Sequence, residues 1–199
     1  MARLLRLLAG MALAVYPVVV WLGLSAVGGE TSPRLVALVL LAVIAPAACL
    51  RLRRSGHVGL RGLAVIPLVT VAALAAAAAL DAAGWMLMVP VAINATLLLA
   101  FAATLRPGVM PMIERFARLQ EPELDAGQLA WCRLWTGIWC AFFLLNGVVA
   151  AALAVFAPLP WWAFYNGLVA YVLIGALLLG EWLLRRRRFP RIANGGDRG

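Results

Sequence analysis

The chain alternates between long apolar blocks and short polar connections. Six blocks approach the length of about 20 mainly apolar residues that a helix needs to cross a bilayer. They are residues 4–27, 34–50, 62–80, 85–105, 134–156 and 161–184. The pattern predicts an all-α polytopic membrane protein with six transmembrane helices. Four of them fill a membrane region over 1–105, and two form a membrane hairpin over 134–184.

The first block also has features of a secretory signal peptide, with a basic start and small residues near positions 25–29. Signal peptides have apolar cores of about 7–15 residues, and this apolar run is longer. We therefore expect an uncleaved first span. Cleavage would instead leave five spans and an N-terminus outside the cell membrane.

One connection, residues 106–133, is much longer than the others and contains the mixed sequence MIERFARLQEPELD. Pro111 suits the first turn of a helix, where its missing N–H costs nothing. One face of that helix then carries apolar residues: Met112, Ile113, Phe116 and Leu119. The opposite face carries Glu114, Arg115, Arg118 and Gln120. We expect a short amphipathic helix at the cytoplasmic interface, with its apolar face on the bilayer.

Two interpretations of this helix stay open. It is either a linker that positions the fifth span or a docking surface for a lipid headgroup or a cytosolic partner. In the second interpretation the docking residues are Glu114, Arg115, Phe116 and Arg118.

Composition supports the membrane assignment. Of the 199 residues, 65% are hydrophobic and 13% are charged, whereas a soluble domain is about one quarter charged. The net charge of +9 would also suit a protein that binds nucleic acid. The basic residues, however, lie at the ends of apolar blocks, as in membrane proteins. We expect the lipid bilayer as the main partner and no nucleic acid.

The arginines predict the orientation. With a cytoplasmic N-terminus, sixteen of the seventeen arginines fall on the cytoplasmic side, and Arg34 is the exception. An excess of basic residues in short loops marks the cytoplasmic side. The sequence thus predicts both termini in the cytoplasm, with residues 185–199 as a basic cytoplasmic tail.

Few polar residues lie within the predicted spans: Asn94, Asn146, Asn166 and Glu181. Polar groups in hydrocarbon are costly, so we expect them to face the bundle interior and to join helices. Trp131, Trp135 and Trp139 recur at helical spacing and predict an aromatic stripe. This stripe is typical of helix packing, and a groove for an acyl chain is the alternative.

The sequence lacks the residue patterns of common membrane enzymes. His57 is its single histidine, aspartate occurs only at Asp81, Asp125 and Asp197, and no nucleophile elbow or Gly-rich phosphate loop occurs. The three cysteines have no zinc-site spacing. We expect a non-enzymatic protein with no catalytic residue, no metal site and no cofactor.

Two stretches carry a resemblance: PMIERFARLQEPELDAGQLAWCRLWTGIWCAFFLLNG and WWAFYNGLVAYVLIGALLLGEW. Together they resemble small inner-membrane proteins of Gram-negative bacteria encoded in aryl-polyene and xanthomonadin-type pigment clusters. A more distant resemblance is to the intracellular septation protein A family, whose members usually have five spans. The resemblance covers about residues 106–184. It implies a location in the bacterial inner membrane and a role in the cell envelope.

The function expected from these features is that of an accessory protein. It would scaffold envelope-lipid or aryl-polyene biosynthesis at the cytoplasmic face, with an acyl carrier protein or cytosolic lipid-biosynthesis enzymes as partners. The alternative is a small transporter or lipid-flipping subunit that moves an acyl or lipid-like substrate. A cavity large enough for transport would require a homodimer.

Overall fold

The computed structural model describes residues 16–25, 32–54, 65–119 and 121–189, and these residues form helices and short connections without a strand. The helices are α1 (Tyr16–Ser25), α2 (Pro33–Arg54), α3 (Val65–Leu80), α4 (Ala83–Leu87), α5 (Val89–Ala102), α6 (Met112–Ala117), α7 (Ala126–Phe156), α8 (Leu159–Phe164) and α9 (Ala170–Arg188). A 3₁₀ turn, Ala103–Leu105, extends α5, and a π-helical segment, Tyr165–Val169, joins α8 to α9. The all-α prediction is confirmed.

The described residues support three of the six predicted spans, not all six. Three helical stretches are long and apolar enough to cross a bilayer: Ala83–Leu105, Ala126–Phe156 and Leu159–Arg188. They correspond to the fourth, fifth and sixth predicted spans. The first three predicted spans contain shorter apolar helices: Tyr16–Ser25, Pro33–Pro46 and Leu68–Leu80.

For the third predicted span, helix length explains the difference. α3 has 16 residues, which at 1.5 Å per residue gives about 24 Å, less than the ~30 Å hydrocarbon core. An apolar block in the sequence also counts residues that need not belong to one helix. The start of the first block, with its signal-peptide alternative, lies outside the described residues, as do the connections at 26–31 and 55–64.

The helices pack in an antiparallel order, with α2 on α3, α3 on α5, α5 on α7 and α6 on α7. At one end, which we call the Asp81 end, the chain turns from α3 into α4 at Asp81, whose φ is +49°. The Asp81 carboxylate accepts hydrogen bonds of 2.8 Å from the Ser32 hydroxyl and from the Arg34 N–H. These two bonds lower the pKa of Asp81 and tie the start of α2 to the α3–α4 turn.

We call the opposite end, formed by residues 105–133 and 181–189, the arginine end. Each end has its own hydrophobic core. The core toward the Asp81 end includes Tyr16, Val20, Leu74, Met86 and Trp162. The core toward the arginine end includes Phe101, Met112, Cys132, Trp135, Trp139 and Phe143.

The break between α4 and α5 has a local cause. Pro90 has no N–H to give to the carbonyl of Met86, four residues earlier. The hydroxyl of Tyr16 on α1 donates to that carbonyl over 2.8 Å. The Trp162 indole donates to the next carbonyl, of Leu87, over 3.2 Å. Side chains from neighbouring helices therefore satisfy the backbone groups at the break, as membrane helices require.

Candidate functional site

The helix α6 is built into the bundle. Met112, Ile113 and Ala117 are buried in the core of the arginine end, beside residues of α5 and α7. Met112 and Ile113 of its apolar face therefore pack on protein, and the prediction that this face lies on the bilayer is wrong for them. The reason is that α5 and α7 already present an apolar surface there, through Phe101 and Trp135 among others.

Two threonine hydroxyls fix the start of α6. The first N–H groups of a helix have no partner within the helix. The N–H of Met112 donates to Thr104 Oγ1 at 3.0 Å, and the N–H of Ile113 donates to Thr136 Oγ1 at 3.2 Å. Each hydroxyl in turn donates to a carbonyl of its own helix, at 2.7 Å. The start of α6 is thus held by the end of α5 and by α7.

The connection from α6 to α7 is equally ordered by hydrogen bonds. Asp125 caps α7 by accepting from the Gln128 N–H, and the Gln128 side chain accepts from the Asp125 N–H, both at 2.8 Å. This capping box starts α7 eight residues before the predicted span. On α7, Arg133 donates to the carbonyl of Leu105 at the end of α5.

The four predicted docking residues all make contacts within the fold. Glu114 is only 8% exposed and pairs with Arg118, whose Nε lies 2.8 Å from its carboxylate. Arg118 also donates to the carbonyl of Pro122 at 2.9 Å. Arg115 donates to the carbonyl of Met110, and Phe116 packs partly buried against the core. The structure therefore places these residues together, but not as an unengaged surface.

Sequence reasoning did not name two exposed apolar residues of this region as docking residues. Leu119 is 72% exposed and Met110 is 42% exposed, although both are apolar. We use the name α6 platform for five residues that lie on α6 or flank it and are at least partly exposed: Arg106, Met110, Arg115, Arg118 and Leu119. The signal in the sequence was that Leu119 continues the apolar pattern of α6.

A polar layer separates the two hydrophobic cores in the middle of the bundle. The Tyr165 hydroxyl donates to Asn146 Oδ1 at 2.8 Å, and Asn146 Nδ2 donates to Asn94 Oδ1 at 3.1 Å. Asn94 Nδ2 donates in turn to the carbonyl of Pro90 at 2.8 Å. This chain of bonds joins the π-helical segment, α7 and α5. The predictions for Asn94 and Asn146 agree with it, whereas Tyr165 was missed.

Close backbone approach allows the asparagine pair to form. A Cβ atom added to Gly147 would lie 3.1 Å from the Cβ of Asn94, which is tighter than an ordinary contact. Asn166, also buried, donates to the carbonyl of Trp162 in its own helical stretch at 2.9 Å. Its observed bond therefore satisfies local backbone and does not join two helices.

The aromatic stripe of α7 faces α9. Trp139 packs against Phe142 and Phe143, and its indole donates to Glu181 of α9 over 3.4 Å. Trp131 and Trp135 are in contact, with ring centroids 5.7 Å apart. Trp135 and Trp139 are also buried in one core with Phe101 of α5 and Met112 of α6, in agreement with the helix-packing interpretation of the stripe.

The described residues contain no group of three or more histidine, cysteine or acidic side chains that could hold a metal ion. Comparison with known proteins gave no match: no family model, no curated protein and no solved structure matches the chain. The resemblance to the pigment-cluster and septation families therefore stays a prediction, and the function has to be argued from the structure itself.

Proposed function

We propose that this protein is a non-enzymatic accessory protein of the bacterial inner membrane. In this proposal it spans the membrane six times with both termini in the cytoplasm. Its α6 platform docks a cytosolic protein of envelope-lipid or aryl-polyene synthesis. An acyl carrier protein is the partner that best fits the platform's chemistry.

The observation that carries this proposal is the exposure of Leu119 in a segment with three arginines. Leu119 is 72% exposed and lies two residues beyond the end of α6, where its N–H donates to the carbonyl of Phe116 at 3.2 Å, so the backbone that carries this anchor is already ordered. Pre-organisation of this kind lowers the entropic cost of association. The surrounding Arg106, Arg115 and Arg118 complement a partner surface rich in carboxylates, which steers the encounter.

The distribution of charge supports a cytoplasmic position for the platform. The described residues of the arginine end include eight arginines and five acidic residues. At the Asp81 end, the arginine near the turn is Arg34, beside Asp81. Basic residues next to membrane spans favour the cytoplasmic side. Residues 51–54 of α2, with three more arginines, also extend away from the Asp81 end.

A deletion strain complemented with variants tests the proposal. Lipid extracts are compared with wild type by absorbance and mass spectrometry. We expect a polyene or glycolipid species to be lost on deletion and restored by wild type and by Leu119→Met. Leu119→Glu should fail to restore it while reaching the membrane at normal levels, because a carboxylate replaces the anchor.

Two results would contradict the proposal. Full restoration by Leu119→Glu would remove the platform as a docking site. An extract unchanged by deletion would remove the role in synthesis of these lipids.

The second candidate function is transport or flipping of a lipid-like substrate. The polar layer favours it, since Asn94, Asn146 and Tyr165 place hydrogen-bonding groups in the middle of the bundle beside a π-helical segment. Segments of this type often occur at functional sites. In this case Asn146→Leu and Glu181→Gln abolish lipid movement at normal expression, and Leu119→Glu leaves it intact.

A further inference from the structure

Two buried indole groups at the arginine end lack a hydrogen-bond partner. The Nε1 atoms of Trp131 and Trp135 are shielded from solvent and have no acceptor among the described residues. Trp135 is only 5% exposed. An indole N–H can only donate, and buried tryptophans usually find an acceptor. Two such donors one turn apart on α7 therefore indicate a missing acceptor.

The end of α9 brings positive charge to the same place. The Arg188 guanidinium lies 5.6 Å from the centre of the Trp131 ring. The Phe189 ring packs edge-on against Trp131, with centroids 6.1 Å apart. Three further arginines precede Arg188 in the last turn of α9.

Two acidic side chains of these helices have hydrogen-bond donors, while Oε2 of Glu121, in the connection before α7, is itself buried without a partner among the described residues. Glu181 accepts from the Trp139 indole, and Asp125 accepts from the N–H of Gln128 in the capping box. The two indole donors and the Arg188 guanidinium together form a set of groups that an anion from outside the described residues can satisfy.

We propose that this junction of α7 and α9 binds the phosphate of an anionic membrane lipid. Its oxygens accept hydrogen bonds from the indoles of Trp131 and Trp135 and pair with the guanidinium of Arg188. Because the indole nitrogens are shielded, binding moves Arg188 from the face of Trp131 onto the phosphate. Phe189 moves with it, since the two residues are consecutive.

The surroundings favour a lipid over free phosphate. Apolar side chains beside the junction are exposed on both helices: Leu134 on α7, and Trp182, Leu183 and Leu184 on α9. They provide a surface along which acyl chains can lie. Arg186 stacks on Trp182 at 5.2 Å, which places another guanidinium at the headgroup level. The site rests on the membrane placement proposed above and is independent of the docking partner.

Lipid retention by the full-length protein tests this site. The protein is reconstituted in nanodiscs of equal parts phosphatidylethanolamine and phosphatidylglycerol, released, and its bound lipids are counted by native mass spectrometry. The double variant Trp131→Phe, Trp135→Phe keeps both rings and removes both donors. Loss of a hydrogen bond to a charged group predicts at least about tenfold weaker retention of phosphatidylglycerol. Retention of phosphatidylethanolamine should change less.

Trp161→Phe is the matched control, because Trp161 is 63% exposed and lies near the Asp81 end; it should retain phosphatidylglycerol like wild type. Thermal unfolding in lipid-free detergent gives a second readout. The double variant should unfold at the same temperature as wild type or higher, since it removes two unsatisfied donors, and it should gain less stability from added phosphatidylglycerol.

Arg188→Gln provides a second variant that leaves the core intact, and it should also lose phosphatidylglycerol. Equal retention by the double variant and wild type would overturn the proposal. If inorganic phosphate alone stabilises the delipidated protein as much as phosphatidylglycerol does, the site binds a free anion and the lipid assignment is wrong. Failure of the docking proposal would leave all these results unchanged.

Discussion

Asn146 has partners on two other segments, and each depends on it for a hydrogen bond. Its amide nitrogen donates to Asn94 on α5, and its oxygen accepts from Tyr165. Asn146 itself is only 6% exposed, so water does not readily replace it. In a low-dielectric interior an unpaired polar group is expensive, which makes a connected network vulnerable to the loss of one member.

We therefore predict that Asn146→Leu lowers the free energy of unfolding by about 1–3 kcal/mol, because it leaves buried polar atoms of Asn94 and Tyr165 unpaired. Tyr165→Phe removes only the end of the chain of bonds and should cost about 0.6 kcal/mol, the average for interhelical hydrogen bonds in membranes. Unfolding in mixed detergent micelles, monitored by helix content, measures both values.

The double variant Asn94→Leu, Asn146→Leu distinguishes a network from two independent polar sites. It removes both partners, so its cost should be smaller than the sum of the two single variants. Strictly additive costs would argue against coupling between the two asparagines.

Among the helices, α6 depends most clearly on its neighbours. A helix of six residues has little stability of its own, since isolated helices shorter than about 12–15 residues are marginal in water. Its order comes from burial of Met112 and Ile113 and from the hydroxyls of Thr104 and Thr136. The α6 platform keeps its shape only while these contacts hold.

Thr136→Val should loosen α6 while keeping the shape of the side chain. The N–H of Ile113, which is buried, loses its acceptor, at a cost of about 1–3 kcal/mol. Amide hydrogen exchange in α6 should become about tenfold faster or more. Mass spectrometry of peptides covering residues 111–119 measures this exchange.

Thr96→Val is the matched control. The Thr96 hydroxyl donates to the carbonyl of Ala92 in its own helix, whereas the hydroxyls that accept from the start of α6 belong to Thr104 and Thr136. Exchange in α6 should stay at the wild-type rate in this variant. Equal exchange rates in α6 for Thr136→Val and wild type would show that the hydroxyl is dispensable.

The sequence predicted helices better than it predicted their contacts. The apolar spacing of Met112, Ile113 and Phe116 indicated α6 correctly but could not say whether protein or lipid covers that face. The fifth span was predicted to begin at residue 134, although Asp125 and Gln128 have the spacing of a capping box. That spacing was a usable signal, and it would have placed the start of α7 at its observed position.

The polar layer was predicted only in part, for a similar reason. An asparagine within an apolar block points to the bundle interior whatever its partner is, so Asn94 and Asn146 were identified. Tyr165 follows the Pro-rich turn 157–160, and tyrosine is a residue type that is common at membrane interfaces. Its contact with Asn146 depends on the π-helical segment, whose wider turn has no recognised sequence pattern.

At the scale of the whole molecule, the topology depends on whether α1, α2 and α3 cross the membrane. The three long helices are long and apolar enough to carry the chain across a membrane three times, which would place the two ends of the bundle on opposite sides. α3 is shorter than the hydrocarbon core, yet α2 packs along it and α3 packs on α5. Helices shorter than the bilayer can be accommodated by local thinning, and close packing on a spanning helix favours this arrangement over a position at the interface.

Position 57, in the connection between α2 and α3, distinguishes six spans from three. With six spans this connection lies on the same side as Leu119, in the cytoplasm. With three spans α1–α3 stay on the side of the Asp81 end, outside.

In a variant whose three native cysteines are replaced by alanine, we expect His57→Cys to resist a membrane-impermeant maleimide in intact cells and to react after permeabilisation. Leu119→Cys should behave alike, whereas Pro160→Cys, at the exposed start of α8, should react in intact cells. Labelling of position 57 together with position 160 in intact cells would rule out the six-span topology.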